Sequence, residues 1–288
     1  MKNNGLAFVL ITTVAMVILG AGLSVFFSRF MNLGGAGTDT APISGPNLPP
    51  QAAPIQEPAA ALTYSPPSPQ DAPPAIREAV LLGYNILLET GKYATPYVGN
   101  KLSCSNCHFK AGLTQGGKNG GLSLVGVGAT YPKYRKRQDY AVDLVTRTND
   151  CFKRSMNGRP LPEESKEMTA IVTYYQWISK GLPVYAEIPW LTIKPLPSTH
   201  VPDKTRGEQL YGVKCSACHG KNGEGTAAGP PLWGQDSFND GAGMHKPVNM
   251  AAFAQLNMPL GNPDLAVEDA LDLADYITAQ PRPHFSAN

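Results

Sequence analysis

The chain has 288 residues, 42% of them apolar, so it is long enough for two compact domains that each bury a core. Its formal net charge is only +2, with 24 basic and 22 acidic residues, which argues against a nucleic-acid partner. Any attraction for anions must therefore come from local clusters of basic side chains.

The chain begins with an uncharged apolar run from Gly5 to Phe27. At about 1.5 Å per residue, this run is long enough to cross the roughly 30 Å hydrocarbon core of a bilayer. We predict a transmembrane helix within residues 1–31, retained as a membrane anchor. A cleaved signal peptide is the alternative, but the run is longer than the usual apolar section and no clear A-x-A cleavage site follows it.

Residues 32–75 are rich in Pro, Ala, Gly, Ser and Gln, with eleven prolines and almost no charge. Such a composition cannot bury enough apolar surface to offset the entropy of ordering, so we predict a disordered tether. A proline-rich recognition segment is the alternative.

The rest of the chain repeats one module, in which a helix, a Cys-x-x-Cys-His motif, a Gly-rich region and a closing amphipathic helix follow one another. We predict a first domain over residues 76–190 and a second over 191–288, with Thr192–Pro202 joining them. Apolar periodicity predicts four helices, over Ile76–Thr90, Pro162–Lys180, Arg206–Val213 and Val267–Ala279. Gly91 and Gly181 are the predicted stops of the first two. Sustained alternation of period two is absent, so the predicted fold is all-α.

Four of the five cysteines lie in the two motifs, Cys104-Ser105-Asn106-Cys107-His108 and Cys215-Ser216-Ala217-Cys218-His219. This spacing suits covalent attachment of haem, with the cysteines on the vinyl groups and His108 and His219 as proximal iron ligands. The sequence therefore predicts two haem c groups in tandem cytochrome c domains. A thioredoxin-like or zinc site would leave the histidines unexplained. In bacteria this attachment occurs outside the cytoplasm, so we predict a location on the periplasmic side of the inner membrane.

Each iron needs a sixth ligand, and the two halves offer different candidates. In the second domain Met258 lies 39 residues after His219 and is followed by a proline. Met244, Lys246 and Met250 are further candidate ligands there. In the first domain the unpaired Cys151 is surrounded by cations, which favour the thiolate form that ligates iron. The alternative is a haem that uses Met156 or Met168, with Cys151 as a bystander.

Several stretches resemble the dihaem cytochrome c thiosulfate dehydrogenases, which form tetrathionate. The most specific runs from Thr146 to Pro162 and continues to Met168. Further matches are Leu102–His108, Tyr131–Arg135 and Asn257–Leu260. The resemblance implies that Cys151 is the essential distal ligand of the first haem and that Arg147, Ser155 and Arg137 line the substrate site. It also implies that a lysine can exchange with methionine on the second iron in some members, for which Lys246 is the candidate here.

The implied activity is the oxidation of two thiosulfate ions to tetrathionate, reversible in principle, with electrons passing through both haems. A soluble cytochrome c or a membrane oxidase would accept them. Two other classes stay open at this point. One is a membrane-anchored dihaem electron carrier without a substrate site, and the other is the thiolate-haem subunit of a multi-enzyme sulfur-oxidising complex.

Overall fold

A computed structural model describes residues 62–116 and 118–286 of the chain. Its longer elements are helices, and the only sheet among the described residues is a small hairpin. The α-helices are α1 (Pro74–Leu88), α2 (Thr90–Tyr93), α3 (Val127–Thr130), α4 (Leu144–Arg154), α5 (Lys166–Trp177), α6 (Lys204–Lys214), α7 (Ser216–His219), α8 (Pro247–Asn257) and α9 (Val267–Thr278). The strands are β1 (Lys133–Arg135) and β2 (Tyr140–Val142).

In the first domain the opening helix α1 packs against the closing helix α5. Their backbones come close at Gly83, where a Cβ would clash with the Ala170 carbonyl and lie 2.7 Å from Cβ of Tyr174. Apolar side chains on both helices are fully buried there, among them Val80 and Ile171. Each fully buried side chain of this size contributes about 1.5 to 3 kcal/mol to folding.

The second domain repeats this arrangement with α6 and α9. Gly207 of α6 takes the place of Gly83, since a Cβ at Gly207 would clash with the Asp272 carbonyl and lie 2.9 Å from Cβ of Tyr276. Helix α8 also packs on α9, and its Met250 and Ala251 are buried. The two modules inferred from the repeat therefore share one helix-on-helix construction.

The prediction of an all-α fold is correct for the body of each domain but misses the antiparallel β1–β2 hairpin. Two helix ends also differ from the predicted ones, and two further helices lie in the Gly-rich regions where loops were expected. Helix α1 ends at Leu88 because Glu89 leaves helical geometry (φ −130°, ψ 62°), so Gly91 is not its stop and lies inside α2. Helix α5 ends at Trp177, four residues before Gly181. The helices α4 and α8 lie in regions predicted as loop.

The end of the predicted tether is ordered, which corrects the expectation of disorder for residues 62–75. Ala72 is fully buried, and Trp177 donates its indole N–H to the Ser68 carbonyl at 2.9 Å. Tyr64 donates its hydroxyl to the carbonyls of Ile178 (3.1 Å) and Lys180 (2.9 Å). This proline-rich segment is therefore packed along the first domain.

The predicted anchor over residues 1–31 and the rest of the tether, residues 32–61, lie outside the described residues. No helix within the described part of the chain is both long and apolar enough to cross a membrane.

The two domains meet along a shared apolar cluster with hydrogen bonds at its edge. Asn100 donates its amide to the carbonyls of Ser155 (2.9 Å) and Ser237 (3.0 Å), and so connects the halves. Phe109 of the first domain packs edge-on against Phe253 of the second, with the ring centroids 5.9 Å apart. This contact places helix α8 of the second domain against the turn that follows the first Cys-x-x-Cys-His motif.

Candidate haem sites and substrate cleft

The first Cys-x-x-Cys-His motif forms a tight turn. The Cys107 and His108 amides both donate to the Cys104 carbonyl, at 3.2 and 2.9 Å. The His108 ring pairs its Nδ1 with the Leu122 carbonyl at 2.9 Å, which identifies Nδ1 as the protonated nitrogen and leaves Nε2 free for a metal. Burial lowers the pKa of His108 to about 4, so the ring is neutral, as ligation requires.

The second motif repeats this geometry. The Cys218 and His219 amides donate to the Cys215 carbonyl at 3.1 and 3.0 Å, and Nδ1 of His219 pairs with the Pro230 carbonyl at 2.8 Å. Burial also lowers the pKa of His219. All five cysteines lie within the described residues and none forms a disulfide. Both motifs thus present two thiols and a neutral, oriented imidazole, a donor set that suits a covalent haem.

Cys151 lies on helix α4, one turn after Arg147. The helix begins at an N-cap in which the Asp143 carboxylate accepts from the Thr146 amide at 2.7 Å. Because residues i and i+4 lie on the same face of a helix, Arg147 reaches the thiol and donates from Nη1 to Sγ at 2.7 Å. The charge of Cys151 raises the pKa of Arg147, so the guanidinium stays protonated beside the sulfur.

Cys151 also belongs to the surroundings of the first motif. Burial, and to a smaller extent the charge of Cys151, raises the pKa of Cys104 to about 11 and that of Cys107 to about 12. Burial and then the charges of Cys104 and Cys151 raise the pKa of Tyr175, which therefore faces the same space. The lone thiol and the first haem motif are thus neighbours, although 43 residues separate Cys151 from His108.

A cleft of about 400 Å³ opens beside Cys151. Three other residues predicted for the substrate site, Arg137, Arg147 and Ser155, line it together with Cys151. The hairpin, helix α4 and the loop before α8 supply its walls. Seven of its described lining residues are basic and one is acidic; they are Lys133, Arg135, Lys136, Arg137, Arg147, Arg154, Lys246 and Asp150. Because the net charge of the chain is low, attraction for anions must come from a local cluster of basic side chains, and the cleft contains such a cluster.

The candidate sixth ligands differ in their surroundings. Met156 is 4% exposed and Met168 is fully buried, both within the apolar core, whereas Cys151 is half-buried at the cleft. Met258 follows the end of α8 and packs half-buried against the core. Lys246 and Cys151 both line the cleft, so this candidate ligand of the second iron lies in the cleft wall. The roles of Cys151 and Met258 as iron ligands stay predictions.

A hydrogen-bonded connection links the two haem motifs across the domain interface. Leu122, whose carbonyl holds the His108 ring, follows Gly121, and the Gly121 amide donates to the Asn257 side chain at 2.8 Å. Asn257 is 1% exposed and immediately precedes Met258. The loop that holds the His108 ring is therefore hydrogen-bonded to the residue before Met258, the predicted ligand of the second iron.

Sequence reasoning missed several residues of the cleft. Tyr134, Gln138, Asp150, Gly243 and Asn249 line it without having been singled out for it. The basic run Lys133–Arg137 carried a signal, because four of its five residues are cationic. Nothing in the sequence places Asn249 near Cys151, since 98 residues separate them. Asp150 accepts a hydrogen bond from the Gln138 side chain and so holds the hairpin against α4.

Comparison with known proteins identifies relatives over the described part of the chain. A family model for the SoxA/TsdA cytochrome c domain matches residues 91–184, and one for cytochrome c oxidase, cbb3-type, subunit III matches residues 202–277. The thiosulfate dehydrogenase of Stutzerimonas stutzeri is 40% identical over 76% of this chain and 73% of its own. That of Allochromatium vinosum is 38% identical over 73% of this chain and 81% of its own.

A solved structure of the thiosulfate dehydrogenase TsdBA from Marichromatium purpuratum is also similar, with a TM-score of 0.71 and 32% identity. The match covers 76% of this chain and 50% of that chain, so the present chain corresponds to about half of the neighbour's length. Two cytochrome c domains, each with its attachment motif, confirm the prediction of two covalently bound haem c cofactors.

Proposed function

Because the chain belongs to the thiosulfate dehydrogenase family, we propose that it oxidises two thiosulfate ions to tetrathionate and delivers the two electrons to an external acceptor. The observation that carries this proposal is the contact between Arg147 and Cys151 at the wall of a basic cleft. A thiol held by a guanidinium suits sulfur chemistry on anions. An electron carrier without a substrate would need neither group.

The haem sites follow from the two motifs. Cys104 and Cys107 would hold the first haem with His108 as an iron ligand, and Cys215 and Cys218 would hold the second with His219. Cys151 would complete the coordination of the first iron and Met258 that of the second. Each bound haem supplies a one-electron redox centre, so two of them suit a reaction that releases two electrons.

The basic residues of the cleft bring two dianions together. Arg147 and Ser155 orient one thiosulfate at Cys151, and Arg137 helps to neutralise the other. Guanidinium groups donate paired hydrogen bonds that match sulfonate oxygens. Asp150 does not oppose this attraction strongly, because Gln138 and the neighbouring cations engage its carboxylate.

The covalent step uses Cys151 as the sulfur nucleophile. Its thiolate forms a bond to the sulfane sulfur of the first thiosulfate, giving a cysteine S-thiosulfonate (Cys–S–S–SO₃⁻) and releasing two electrons, which the external acceptor takes up. The second thiosulfate attacks the same sulfane sulfur, and the Cys151 thiolate leaves. The product is tetrathionate, no proton is exchanged, and both steps can run in reverse.

The acceptor is a soluble cytochrome c or a membrane oxidase, and the protein works on the periplasmic side of the inner membrane, since covalent haem attachment in bacteria takes place there. The N-terminal segment, residues 1–31, would anchor it.

The decisive test uses the purified full chain with both haems attached, thiosulfate and ferricyanide. We expect one tetrathionate for every two thiosulfate consumed and two ferricyanide reduced. Cys151→Gly should abolish turnover while leaving two haems per chain. Arg159→Ala, which removes an exposed arginine stacked on Tyr97 outside the cleft, is the control and should behave as wild type.

The other classes predict different results. An electron carrier without a substrate site would form no tetrathionate and would show ordinary His/Met spectra on both haems. A subunit of a multi-enzyme sulfur-oxidising complex would be inactive until a sulfur-carrier protein is added. Undiminished thiosulfate oxidation by Cys151→Gly would refute the role of the thiol.

A further inference from the structure

The C-terminal tail, residues 279–286, returns from α9 to the helix that carries Cys151. Its Phe285 ring lies against Arg154, with the guanidinium carbon 3.8 Å from the ring centroid. Arg154 lines the cleft, and its side chain is only 16% exposed. An aromatic side chain from the far end of the sequence therefore contacts a cation of the substrate site.

The loop Asn239–Gly241 of the second domain fastens the tail. The Asp240 amide donates to the Pro283 carbonyl at 3.0 Å, and the Phe285 amide donates to the Asp240 carboxylate at 2.7 Å. The other carboxylate oxygen pairs with Nδ1 of His284 at 2.6 Å. Asp240 is about one third exposed, and its three bonds to successive residues of the tail hold the tail in one placement and thereby orient the Phe285 ring.

The same loop also holds helix α4. Asn239, which is 2% exposed, donates its side-chain amide to the Lys153 carbonyl at 2.8 Å and its backbone amide to the Arg154 carbonyl at 3.2 Å. Arg137 donates to the Gly241 carbonyl at 3.1 Å. A Cβ on Gly241 would lie 2.6 Å from Cγ of Phe285 and 3.0 Å from Nη1 of Arg154, so the loop fits closely between tail and cleft.

Apart from Phe285, Arg154 is held by an ion pair with Asp150 on the same helix. Its buried Nε finds no hydrogen-bond partner among the described residues, and the nearest carboxylate oxygen, on Asp150, is 3.6 Å away. Stacking on Phe285 leaves the edge of the guanidinium, with its donors, free for a ligand. Burial and then the charge of Arg154 lower the pKa of Arg137, so the two cations face a common space.

We propose that Phe285 is a positioning residue that holds Arg154 beside Arg137 as the binding site of the second thiosulfate. The inference rests on the proposed function, which requires two dianions in one cleft. Arg147 and Ser155 serve the thiosulfate that reacts with Cys151. Arg137 and Arg154, both fastened by the second domain, serve the one that attacks afterwards.

The test compares Phe285→Ala with wild type in the full holoprotein. We expect the KM for thiosulfate to rise about three- to tenfold while kcat changes less than about twofold, as the loss of a partly desolvated cation–π contact implies. Binding is measured separately by calorimetry on protein reduced with titanium(III) citrate and desalted, which cannot oxidise thiosulfate. The apparent dissociation constant should rise by the same factor.

Two matched variants separate stacking from packing. Phe285→Tyr keeps the ring face and should retain wild-type binding, whereas Phe285→Leu keeps apolar volume without the ring face and should bind as weakly as Phe285→Ala. In a double-mutant cycle, Phe285→Ala should add nothing to Arg154→Ala, because the ring acts through the guanidinium.

Three results would each show that Phe285 is only a packing residue. They are additive effects in that cycle, wild-type binding by Phe285→Leu, and a lowered melting temperature with an unchanged dissociation constant. The proposed function would then stand, because wild type would still bind and oxidise thiosulfate. A wild-type protein that neither binds nor oxidises thiosulfate would overturn both.

Discussion

At the scale of single residues, the chemistry depends on a spacing of one helical turn. Arg147 and Cys151 are four residues apart on α4, so the guanidinium lies over the thiol without any long-range constraint. Ser155 follows after another four residues and lines the same cleft. One face of a single short helix thus presents a guanidinium, a thiol and a hydroxyl to the same cleft.

The role of Arg147 can be tested by separating its charge from its geometry. Arg147→Gln removes both and should lower kcat/KM by about tenfold to a hundredfold, the loss associated with one charge-assisted hydrogen bond. Arg147→Lys keeps the charge but not the planar fork, and should recover only part of the loss. Steady-state kinetics with thiosulfate and ferricyanide measure both; equal activity in Arg147→Gln and in the exposed-site control Arg159→Ala would contradict the assignment.

The sequence could indicate this part of the site but not the whole. Cys151 was conspicuous as an unpaired thiol among cations, and motif resemblance brought in Arg137, Arg147 and Ser155. Lys246 and Asn249 line the cleft from the second domain, and Phe285 contacts Arg154 in its wall. The sequence singled out Lys246 only as a candidate iron ligand. No local pattern encodes how the two domains pack, so the position of Lys246 in the cleft and the contributions of Asn249 and Phe285 are visible only in three dimensions.

At the scale of elements, periodicity predicted the helices that bury one face. Helices α6 and α9 begin and end within two residues of their predicted bounds. Helix α4 was missed because its sequence, LVTRTNDCFKR, is largely polar and carries few apolar anchors. Helix α8 was missed for the opposite reason, because it is apolar on several sides and buried. The strands β1 and β2 have three residues each, too few for alternation to be visible.

The buried carboxylate of Asp272, between α6 and α9, should make the stability of the fold depend on pH. Asp272 is fully buried; burial alone would raise its pKa, but hydrogen bonds from the Asp203 amide, His200 and Arg206 outweigh burial and hold the pKa below its ordinary 3.8. A lowered carboxyl pKa stabilises the fold above the ordinary value, and this stabilisation is lost as pH falls through the folded-state value. Asp272→Asn should therefore cost about 1 to 3 kcal/mol at pH 7.

Urea unfolding of the holoprotein at several pH values would measure this difference. The gap between wild type and Asp272→Asn should narrow below about pH 4, where the wild-type carboxyl also becomes neutral. Asp264→Asn, which breaks an exposed pair with Lys214, is the matched control and should change stability by about 0.5 kcal/mol or less. A gap that stays constant with pH would show that the charge of Asp272 does not stabilise the helix pair.

At the scale of the whole molecule, the substrate cleft is a product of domain packing. Its hairpin and helix α4 come from the first domain, while Gly243, Lys246 and Asn249 come from the second. The second domain also fastens α4 through Asn239 and joins the two haem motifs through Asn257. The second module therefore lines the cleft as well as carrying its own haem motif.

Variants of Lys246 test whether this residue acts on the substrate in the cleft or on the haem of the second domain. If it acts from the cleft wall, Lys246→Gln should raise the KM for thiosulfate about three- to tenfold at low salt, and the difference from wild type should shrink as added salt screens the remaining attraction. Lys246→Arg should retain most of the affinity. Lys221→Gln removes an exposed charge of the second domain outside the cleft and should leave KM unchanged.

The same variants test the alternative role of Lys246 as an iron ligand. Ligation requires a deprotonated amine, which a guanidinium cannot replace, so Lys246→Arg would then be as altered as Lys246→Gln in the visible and near-infrared spectra of the second haem. Electrostatic action from the cleft wall requires only the positive charge. The spectra of both variants should then be the same as in wild type, and the KM for thiosulfate should rise in Lys246→Gln but little in Lys246→Arg. Spectra that change in both variants at unaltered KM would assign Lys246 to the second iron and leave thiosulfate binding to the arginines of the first domain.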